Sequence, residues 1–331
     1  RDMRAHSAMG RTRGRQRVPR AHRTGWNMDV ILHIGAHRTG TSSLQAWLLQ
    51  NETLLAQAGT AVWGPERTRA GLFAGLIKRP DLVTAEDDLL ARRAATRIAM
   101  EIDRLDDAGL RRLIVSEENV MGTMPVCLDH ATLYPDLRGR LDRVAEAIGP
   151  HLTGVALSVR RPDQWWASVL AVAQARGAKA PGAEFLDRLA RHPRSWRRVV
   201  EVVRTAFGLP VTVWSFEGML GAHAAQLQAM APQADLPAGL YDQRCIRNAA
   251  PRLATAGRGA GHRGGGTRYM PFSTRQCGAM TLRYLEDLAW LRSAPPGVVY
   301  VEMDAETPGA HPGAAAEEEG LFHDEQKRGL G

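Results

Sequence analysis

The chain has 331 residues, of which 44% are hydrophobic and 24% are charged, as in an ordinary soluble globular protein. The formal net charge of +8 does not predict a nucleic-acid-binding surface, because residues 1–27 carry eight arginines against one acid, whereas the other 304 residues carry 35 basic and 34 acidic side chains. No run of 18 consecutive apolar residues occurs, so the sequence predicts no transmembrane segment.

We predict that residues 1–27 are a basic extension that is disordered or not native to the protein. An arm for nucleic acid or a membrane surface is the alternative. After this extension, short apolar runs alternate with long helical patterns. The predicted strands are 30–34, 61–63, 113–116, 154–159 and 211–214. The predicted helices are 43–56, 86–105, 137–148, 163–176, 184–190 and 195–207.

The last third of the chain contains two stretches of biased composition. Residues 249–270 are rich in glycine and arginine and have too little apolar surface for a core, so we predict a mobile loop there. A further helical pattern covers residues 274–293. Residues 301–331, rich in Pro, Gly, Ala and Glu, are predicted to be a poorly ordered C-terminal tail.

Strands that alternate with helices indicate crossover units and a parallel sheet. Residues 30–34 (VILHI) and 154–159 (GVALSV) are apolar on both faces, as buried parallel strands are. The sequence therefore predicts an α/β fold, in which residues 28–300 form a single three-layer domain of the P-loop type with a central, mainly parallel sheet flanked by helices.

The turn after the first predicted strand has the composition of an anion site. Gly35 permits a sharp exit from the strand, and Gly40 permits close backbone approach just before the next helix. The first amide groups of that helix point into the turn, at the positive end of the helix dipole. Arg38 adds a formal charge, and Thr39 and Thr41 add hydroxyl donors, so the turn is predicted to hold an anion.

The turn differs from the nucleotide-triphosphate loop G-x-x-x-x-G-K-[ST] in the position of its cation. Residues 35–42 (GAHRTGTS) have the two glycines at that spacing, but Thr41 stands where the lysine belongs and Arg38 supplies the charge. In this respect the turn resembles the 5′-phosphosulfate loop of sulfotransferases that use 3′-phosphoadenosine 5′-phosphosulfate (PAPS), whose core is Lys-Thr-Gly-Thr. The resemblance implies that the cofactor is bound by Gly35, Ala36, His37, Arg38, Thr39, Gly40, Thr41 and Ser42.

A second motif of the same family is a strand that ends in arginine, with a serine eight residues later in the next helix. The stretch GVALSVRRPDQWWASVL is similar, with Arg160 at the strand end and Ser168 eight residues on. Pro162 near the helix start leaves Ser168 about 9 Å along the helix axis, where a long arginine can converge with it on one phosphate. The resemblance implies that this pair binds the cofactor's 3′-phosphate, and it extends over residues 29–217.

The resemblance to bacterial sulfotransferase-like chains implies an enzyme that moves a sulfuryl group from PAPS to an acceptor hydroxyl or amine and leaves PAP. Arg38 stands where the family has its leaving-group lysine, so we predict that it is catalytic and neutralises the leaving phosphate oxygen. A sulfuryl group carries less negative charge than a phosphoryl group, and no cluster of metal ligands is visible in the sequence, so no metal is expected.

The acceptor's proton requires a base near the carboxyl edge of the sheet, where family members place a catalytic His or Glu. Glu117 and Glu118 directly follow the strand predicted at residues 113–116. In an extended chain their side chains point to opposite sides, so one of them is expected to face the site. We take Glu117 as the predicted catalytic base, with Glu118 and His37 as alternatives.

Two other functions remain open from the sequence. A P-loop kinase or NTPase would use Mg²⁺ and a lysine beside the second glycine, and a catalytically inert nucleotide-binding relative is compatible with Arg38. The acceptor is predicted to be a glycan, a lipid or another small molecule, with no specific nucleic-acid partner and an undefined oligomeric state.

Cys127, Cys245 and Cys277 lie far apart without paired spacing, which favours reduced thiols in a cytoplasmic protein.

Overall fold

The computed structural model describes residues 28–191, 194–237, 239–240 and 269–303. The predictions for residues 1–27, for the glycine- and arginine-rich stretch as far as residue 268, and for the tail from residue 304 onward lie outside the described residues. Among the helices of the described ranges, none combines the length and the apolar character needed to cross a membrane.

Six strands of the described chain form one sheet, in the order β2-β3-β1-β4-β5-β6, and every pairing is parallel. The strands are β1 (Asp29–His33), β2 (Thr60–Trp63), β3 (Arg112–Ser116), β4 (Gly154–Val159), β5 (Val211–Ser215) and β6 (Val298–Val301). The α/β fold class predicted from the sequence is therefore confirmed.

Helices cover both faces of this sheet. They are α1 (Thr41–Gln50), α2 (Glu52–Gln57), α3 (Pro65–Arg67), α4 (Ala85–Asp107), α5 (Met124–Asp129), α6 (Leu137–Ile148), α7 (Pro162–Ala175), α8 (Ala183–Ala190), α9 (Trp196–Phe207), α10 (Phe216–Met219), α11 (His223–Met230) and α12 (Thr274–Arg292). Short 3₁₀ or π turns lie at Thr68–Leu72, Pro80–Leu82, Glu118–Val120 and Gly149–His151.

The predicted helix 43–56 is wrong in one respect, because the chain forms two helices there that meet at Asn51. The Asn51 side chain donates to the carbonyl of Trp47 at 2.9 Å, and such a local bond competes with continuation of a helix. Helix α6 and strand β4 match their predicted bounds. The helices and strands that were not predicted from the sequence are α3, α5, α10, α11 and β6.

Alternate side chains of the central strands enter two separate cores, which makes the domain three layers deep. On β1, Val30 and Leu32 pack with apolar residues of α4, α6, α7, α9 and α12, whereas Ile31 faces the other way. Ile31 packs with α1 and α11 through residues such as Trp47 and Leu227. Both faces of the strand are buried, as expected for a parallel sheet covered on both sides.

The strand order locates the loop that follows β1. Strand β1 pairs with β3 on one side and β4 on the other, and His33 is in register with Ser116. The order in which strands are added to the sheet reverses at β1, since β2 and β3 lie on one side of β1 and β4 to β6 lie on the other. Ligands of open α/β sheets bind at the carboxyl ends of strands at such a switch point.

Candidate functional site

The backbone between β1 and α1 contains a row of amide groups without acceptors among the described residues. Arg38 has φ +62° and Gly40 has φ +79°, so two residues of the turn adopt left-handed conformations. Within the described ranges of the chain, the amides of residues 38–42 donate to no acceptor. Amides arranged in this way at the start of a helix form an anion-binding nest.

Arg38 adopts a backbone conformation that is unusual for its residue type. A residue with a Cβ in the left-handed region costs about 1–2 kcal/mol relative to the right-handed region. Such a conformation persists only where the surrounding structure imposes it, and it is often associated with a functional site.

Neighbouring side chains hold this turn. Its glycine at position 35 has no space for a larger residue, because an added Cβ would lie 2.5 Å from Thr41 Oγ1 and 2.7 Å from His33 Nε2. The Thr39 hydroxyl donates to the carbonyl of Ala36, and the Ser158 hydroxyl, on β4, lies within hydrogen-bonding distance of Thr39.

The guanidinium of Arg38 lacks a carboxylate partner among the described residues. Its Nε donates to Ser168 Oγ at 2.8 Å, and the side chain is half-buried. Burial, followed by the nearby positive charge of Arg176, lowers the pKa of Arg38 below its usual value. A partly buried cation with only a neutral hydroxyl as acceptor is well suited to an anionic ligand.

Arg160, at the end of β4, lies against the same turn. Its side chain is buried, and Nη1 donates to the carbonyl oxygen of Arg38 at 2.6 Å. The guanidinium carbon lies 4.2 Å from the centre of the Phe216 ring, within the range of a cation–π contact. The structure therefore brings together Arg38, Arg160 and Ser168, which the sequence analysis had assigned to two ends of one cofactor.

Arg161, the neighbour of Arg160, is engaged elsewhere. Its guanidinium pairs with the buried carboxylate of Asp163 and donates to Thr281 at 3.2 Å. Its backbone amide donates to Glu217 at 2.9 Å. These contacts point Arg161 away from the cluster that Arg160 forms.

His37 is held on both of its ring nitrogens. Its amide donates to the hydroxyl of Tyr134 at 2.9 Å, Nδ1 lies 3.2 Å from the same hydroxyl, and Nε2 lies 3.3 Å from Asn119 Oδ1. Trp165 Nε1 donates to the carbonyl of His37 at 2.6 Å. Burial lowers the pKa of His37, so the imidazole is neutral at neutral pH, and it fixes the turn rather than offering a free basic nitrogen.

The remaining residues of the predicted loop are Ala36, Thr41 and Ser42. Ala36 and Thr41 are buried beneath it, and Ser42 lies half-exposed in the first turn of α1. No side-chain cap bond occupies the start of this helix, so its first amides are available to a ligand.

The two carboxylates after β3 have different surroundings. Glu117 is completely buried and accepts from Thr68 Oγ1 at 2.7 Å, from Arg69 Nε and Nη2 at 2.9 and 2.7 Å, and from the Asn119 amide at 3.0 Å. Glu118 accepts from Gln45 Nε2 at 2.9 Å and from Arg69 Nη2 at 3.0 Å. Both acids therefore share Arg69, whose pKa is raised above its usual value, chiefly by the bond to Glu117.

A series of hydrogen-bonded polar side chains connects Glu118 to His33, at the end of β1 just before the turn. Gln45 Nε2 also lies 3.2 Å from Ser116 Oγ, and Ser116 Oγ lies 2.9 Å from His33 Nδ1. The imidazole of His33 stacks on Trp214 with ring centres 5.6 Å apart. Burial lowers the pKa of His33 to about 4, so this ring is also neutral at neutral pH.

Several residues of the site were not predicted from the sequence. The segment that carries Thr68 and Arg69 has no recognisable motif, and nothing in the sequence indicates that it folds onto the end of β3. Gln45 lies one helical turn after Thr41, which could have indicated that it shares a face with the loop. Tyr134 and Phe216 come from distant elements and gave no local signal.

Within the described ranges, no group of three or more His, Cys, Asp or Glu side chains is placed to hold a metal ion. A scan against protein-family models and a search of curated proteins each found no match to this chain.

Proposed function

We propose that this chain is a PAPS-dependent sulfotransferase, in which the turn after β1 binds the 5′-phosphosulfate and Arg160 with Ser168 binds the 3′-phosphate. The observation that carries the proposal is the half-buried Arg38, which has no carboxylate partner among the described residues and belongs to a turn whose five amides at residues 38–42 donate to no described acceptor. Those groups together are suited to an anion with several oxygens, which supports the proposal.

The chemistry divides between the donor and the protein. PAPS supplies the activated sulfuryl group, and the chain's tasks are to position it, to stabilise the charge that develops on the leaving phosphate oxygen and to accept a proton from the acceptor. The amides of residues 38–42 and the guanidinium of Arg38 are donors that are already fixed in place. A fixed donor stabilises developing charge without reorganising at the moment of reaction.

The 3′-phosphate assignment separates this proposal from a kinase or NTPase. ATP has no 3′-phosphate, so it cannot make the contacts that we propose for Arg160 and Ser168. A catalytically inert nucleotide-binding relative is the second candidate, and the replacement of the family lysine by Arg38 is the observation that favours it. That candidate predicts nucleotide binding without release of PAP from PAPS.

The test compares PAP with ATP and adenosine 5′-phosphate, each with and without Mg²⁺, by thermal unfolding and calorimetry. PAP at one hundred times its Kd is expected to raise the melting temperature by roughly 5–10 °C without Mg²⁺, because a ligand that binds only the folded state stabilises it by mass action. ATP and adenosine 5′-phosphate are expected to do much less. Equal shifts from PAP and ATP, or a shift from ATP with Mg²⁺ alone, contradict the proposal.

Turnover is measured as release of PAP from bound PAPS in a single turnover, first with water and then with candidate glycan, lipid and small-molecule acceptors. Binding of PAP without any release of PAP from PAPS would instead support the inert relative.

A further inference from the structure

The carboxylates of Glu117 and Glu118 are adjacent in sequence, but only one of them has room for another ligand. An ionised carboxylate offers about four acceptor positions. Glu117 receives four hydrogen bonds from Thr68, Arg69 and the Asn119 amide, and its side chain has no exposed surface. Those contacts leave no acceptor position for the hydroxyl of an incoming substrate.

Glu118 differs in both respects. Its side chain is 15% exposed, and each oxygen receives a single side-chain bond, Oε2 from Gln45 and Oε1 from Arg69. Burial opposes ionisation of Glu118, but the bond from Gln45 and the charge of Arg69 outweigh it and lower its pKa. Glu118 is therefore a carboxylate at neutral pH with open acceptor positions.

Glu118 and Arg160 lie on opposite sides of the anion-binding turn, so Glu118 is on the side away from the proposed 3′-phosphate site. Strand β1 lies between β3 and β4, so the turn is flanked by Glu118 on the β3 side and by Arg160 on the β4 side. Gln45 lies in α1, the helix that follows the turn, and its side chain donates to the carboxylate of Glu118. A donor held between these two flanks has its 3′-phosphate end toward β4 and leaves the β3 side to the acceptor.

We propose that Glu118 accepts the acceptor's proton, that Gln45 and Arg69 position it, and that Glu117 holds Arg69 in place. This inference rests on the proposed sulfuryl transfer. In that step a bond forms between the acceptor oxygen or nitrogen and sulfur, while the bond from sulfur to the 5′-phosphate oxygen breaks. The electron pair stays on the phosphate of PAP, and the acceptor's proton moves to the carboxylate of Glu118.

Because the two acids have different proposed roles, replacing each of them is expected to change the rate of PAP release and the melting temperature differently. Glu118→Gln removes the proton acceptor but keeps the shape, so release of PAP from PAPS with water as acceptor is expected to fall roughly 10²–10⁴-fold. PAP affinity and the melting temperature are expected to stay near the wild-type values. Glu117→Gln is the matched control, which is expected to lower the melting temperature, because it breaks the ion pair between the buried Glu117 carboxylate and Arg69, while slowing the reaction less than Glu118→Gln.

Gln45→Met tests positioning by a measurement that a purely structural role would not change. Loss of the Gln45 bond raises the pKa of Glu118, so the acid limb of the pH–rate profile is expected to move up by about half to one pH unit. The other titratable groups that face Glu118 are Arg69, His33, His37 and Tyr134. Burial raises the pKa of Tyr134 out of the acid range, but it lowers the pKa of His33 to about 4, so His33 titrates in the same range as Glu118. The limb is assigned to Glu118 only if it moves in Gln45→Met and is still present in His33→Phe.

Four outcomes decide the inference. A Glu118→Gln variant that releases PAP at the wild-type rate overturns it, and so does a Gln45→Met variant whose acid limb does not move. A wild-type protein that releases no PAP from PAPS overturns this inference and the proposed transfer together. Slow release by Glu118→Gln, with PAP binding intact and a shifted limb in Gln45→Met, supports it.

Discussion

Arg38 Nε donates to Ser168 Oγ at 2.8 Å, across 130 residues of sequence. The contact joins the turn after β1 to the middle of α7, so the residues assigned to the two phosphates of the donor already touch each other. A nucleotide that binds there has to insert its oxygens among these donors. The site is therefore compact and strongly cationic before any ligand arrives.

Arg38 is expected to act mainly in the transition state of the proposed transfer. Arg38→Ala should lower turnover roughly 10²–10³-fold, because charge builds on the leaving oxygen only as the sulfuryl group departs. PAPS affinity should fall less, since the loop amides remain. Arg38→Lys is the matched control and should retain activity. Single-turnover release of PAP measures both variants, and an Arg38→Lys rate no faster than that of Arg38→Ala contradicts the assignment.

The left-handed backbone of Arg38 predicts an unusual order of stabilities. Arg38→Gly and Arg38→Ala both remove the guanidinium and its bond to Ser168, but only glycine adopts φ +62° without strain. The glycine variant is expected to be more stable than the alanine variant by about 1 kcal/mol in urea unfolding. Equal stabilities would show that the alanine variant escapes the left-handed conformation by relaxing the turn.

Arg160 and Arg161 are neighbours with different expected effects on nucleotide binding. Arg160→Ala should weaken PAP binding by about 1.5–3 kcal/mol, the worth of a hydrogen bond to a charged group, and should hardly affect adenosine 5′-phosphate, which lacks the 3′-phosphate. Arg161→Ala should leave PAP affinity within a few-fold, because Arg161 is paired with Asp163. Calorimetry with both nucleotides measures the difference, and a PAP affinity that Arg160→Ala does not change refutes the 3′-phosphate site.

Two glycine-to-alanine changes should shift stability in opposite directions. Gly35→Ala places a methyl group 2.5 Å from Thr41 Oγ1 and 2.7 Å from His33 Nε2, so it is expected to cost about 1–3 kcal/mol and to distort the turn. Gly278→Ala lies in α12 with no atom within 4 Å of the added Cβ, and it is expected to stabilise by about 0.5–1 kcal/mol. Urea unfolding measures both. A Gly35→Ala variant that is as stable as wild type and still binds PAP contradicts the close approach.

His33 is expected to make the folded state sensitive to acid. Its pKa is lowered from 6.5 to about 4 by burial, so between these pH values the unfolded chain binds a proton that the folded chain does not. Stability therefore rises with pH across this window, by up to about 3 kcal/mol from His33 alone. His33→Phe keeps a ring against Trp214 and should flatten the dependence, whereas His130→Gln, at an exposed position, should not. Unfolding free energies measured between pH 4 and 7 test this, and an unchanged slope in His33→Phe contradicts it.

The sequence predicted the layered parallel sheet because apolar strands and amphipathic helices leave strong local patterns. Strand β6 was not predicted, because its four residues (VVYV), although typical of a strand, form too short a run to be distinguished from a loop by local pattern. The anion-binding turn was recognisable because glycine, arginine and hydroxyl residues lie close together in the sequence.

Contacts between distant elements could not be predicted in the same way. Nothing in the sequence around Arg69 indicates that it binds Glu117 and Glu118 from a segment 48 residues earlier. Alternation along an extended chain predicted that the two acids face opposite sides, but not which one is enclosed. That distinction depends on packing, which brings Thr68 and Arg69 over Glu117 and leaves Glu118 partly exposed.

The central position of β1 has a consequence for synthesis of the chain. The turn residues leave the ribosome before their two flanking strands, β3 and β4, which end 83 and 126 residues after His33. At 5–20 residues per second, translation takes roughly 6–25 s to proceed from His33 to the end of β4. A nascent chain that stops before β4 contains every residue of the turn but lacks one wall of the nest. Under the proposed function, capture of ribosome-bound chains on immobilised PAP should therefore begin only once β4 and Ser168 of α7 have left the exit tunnel.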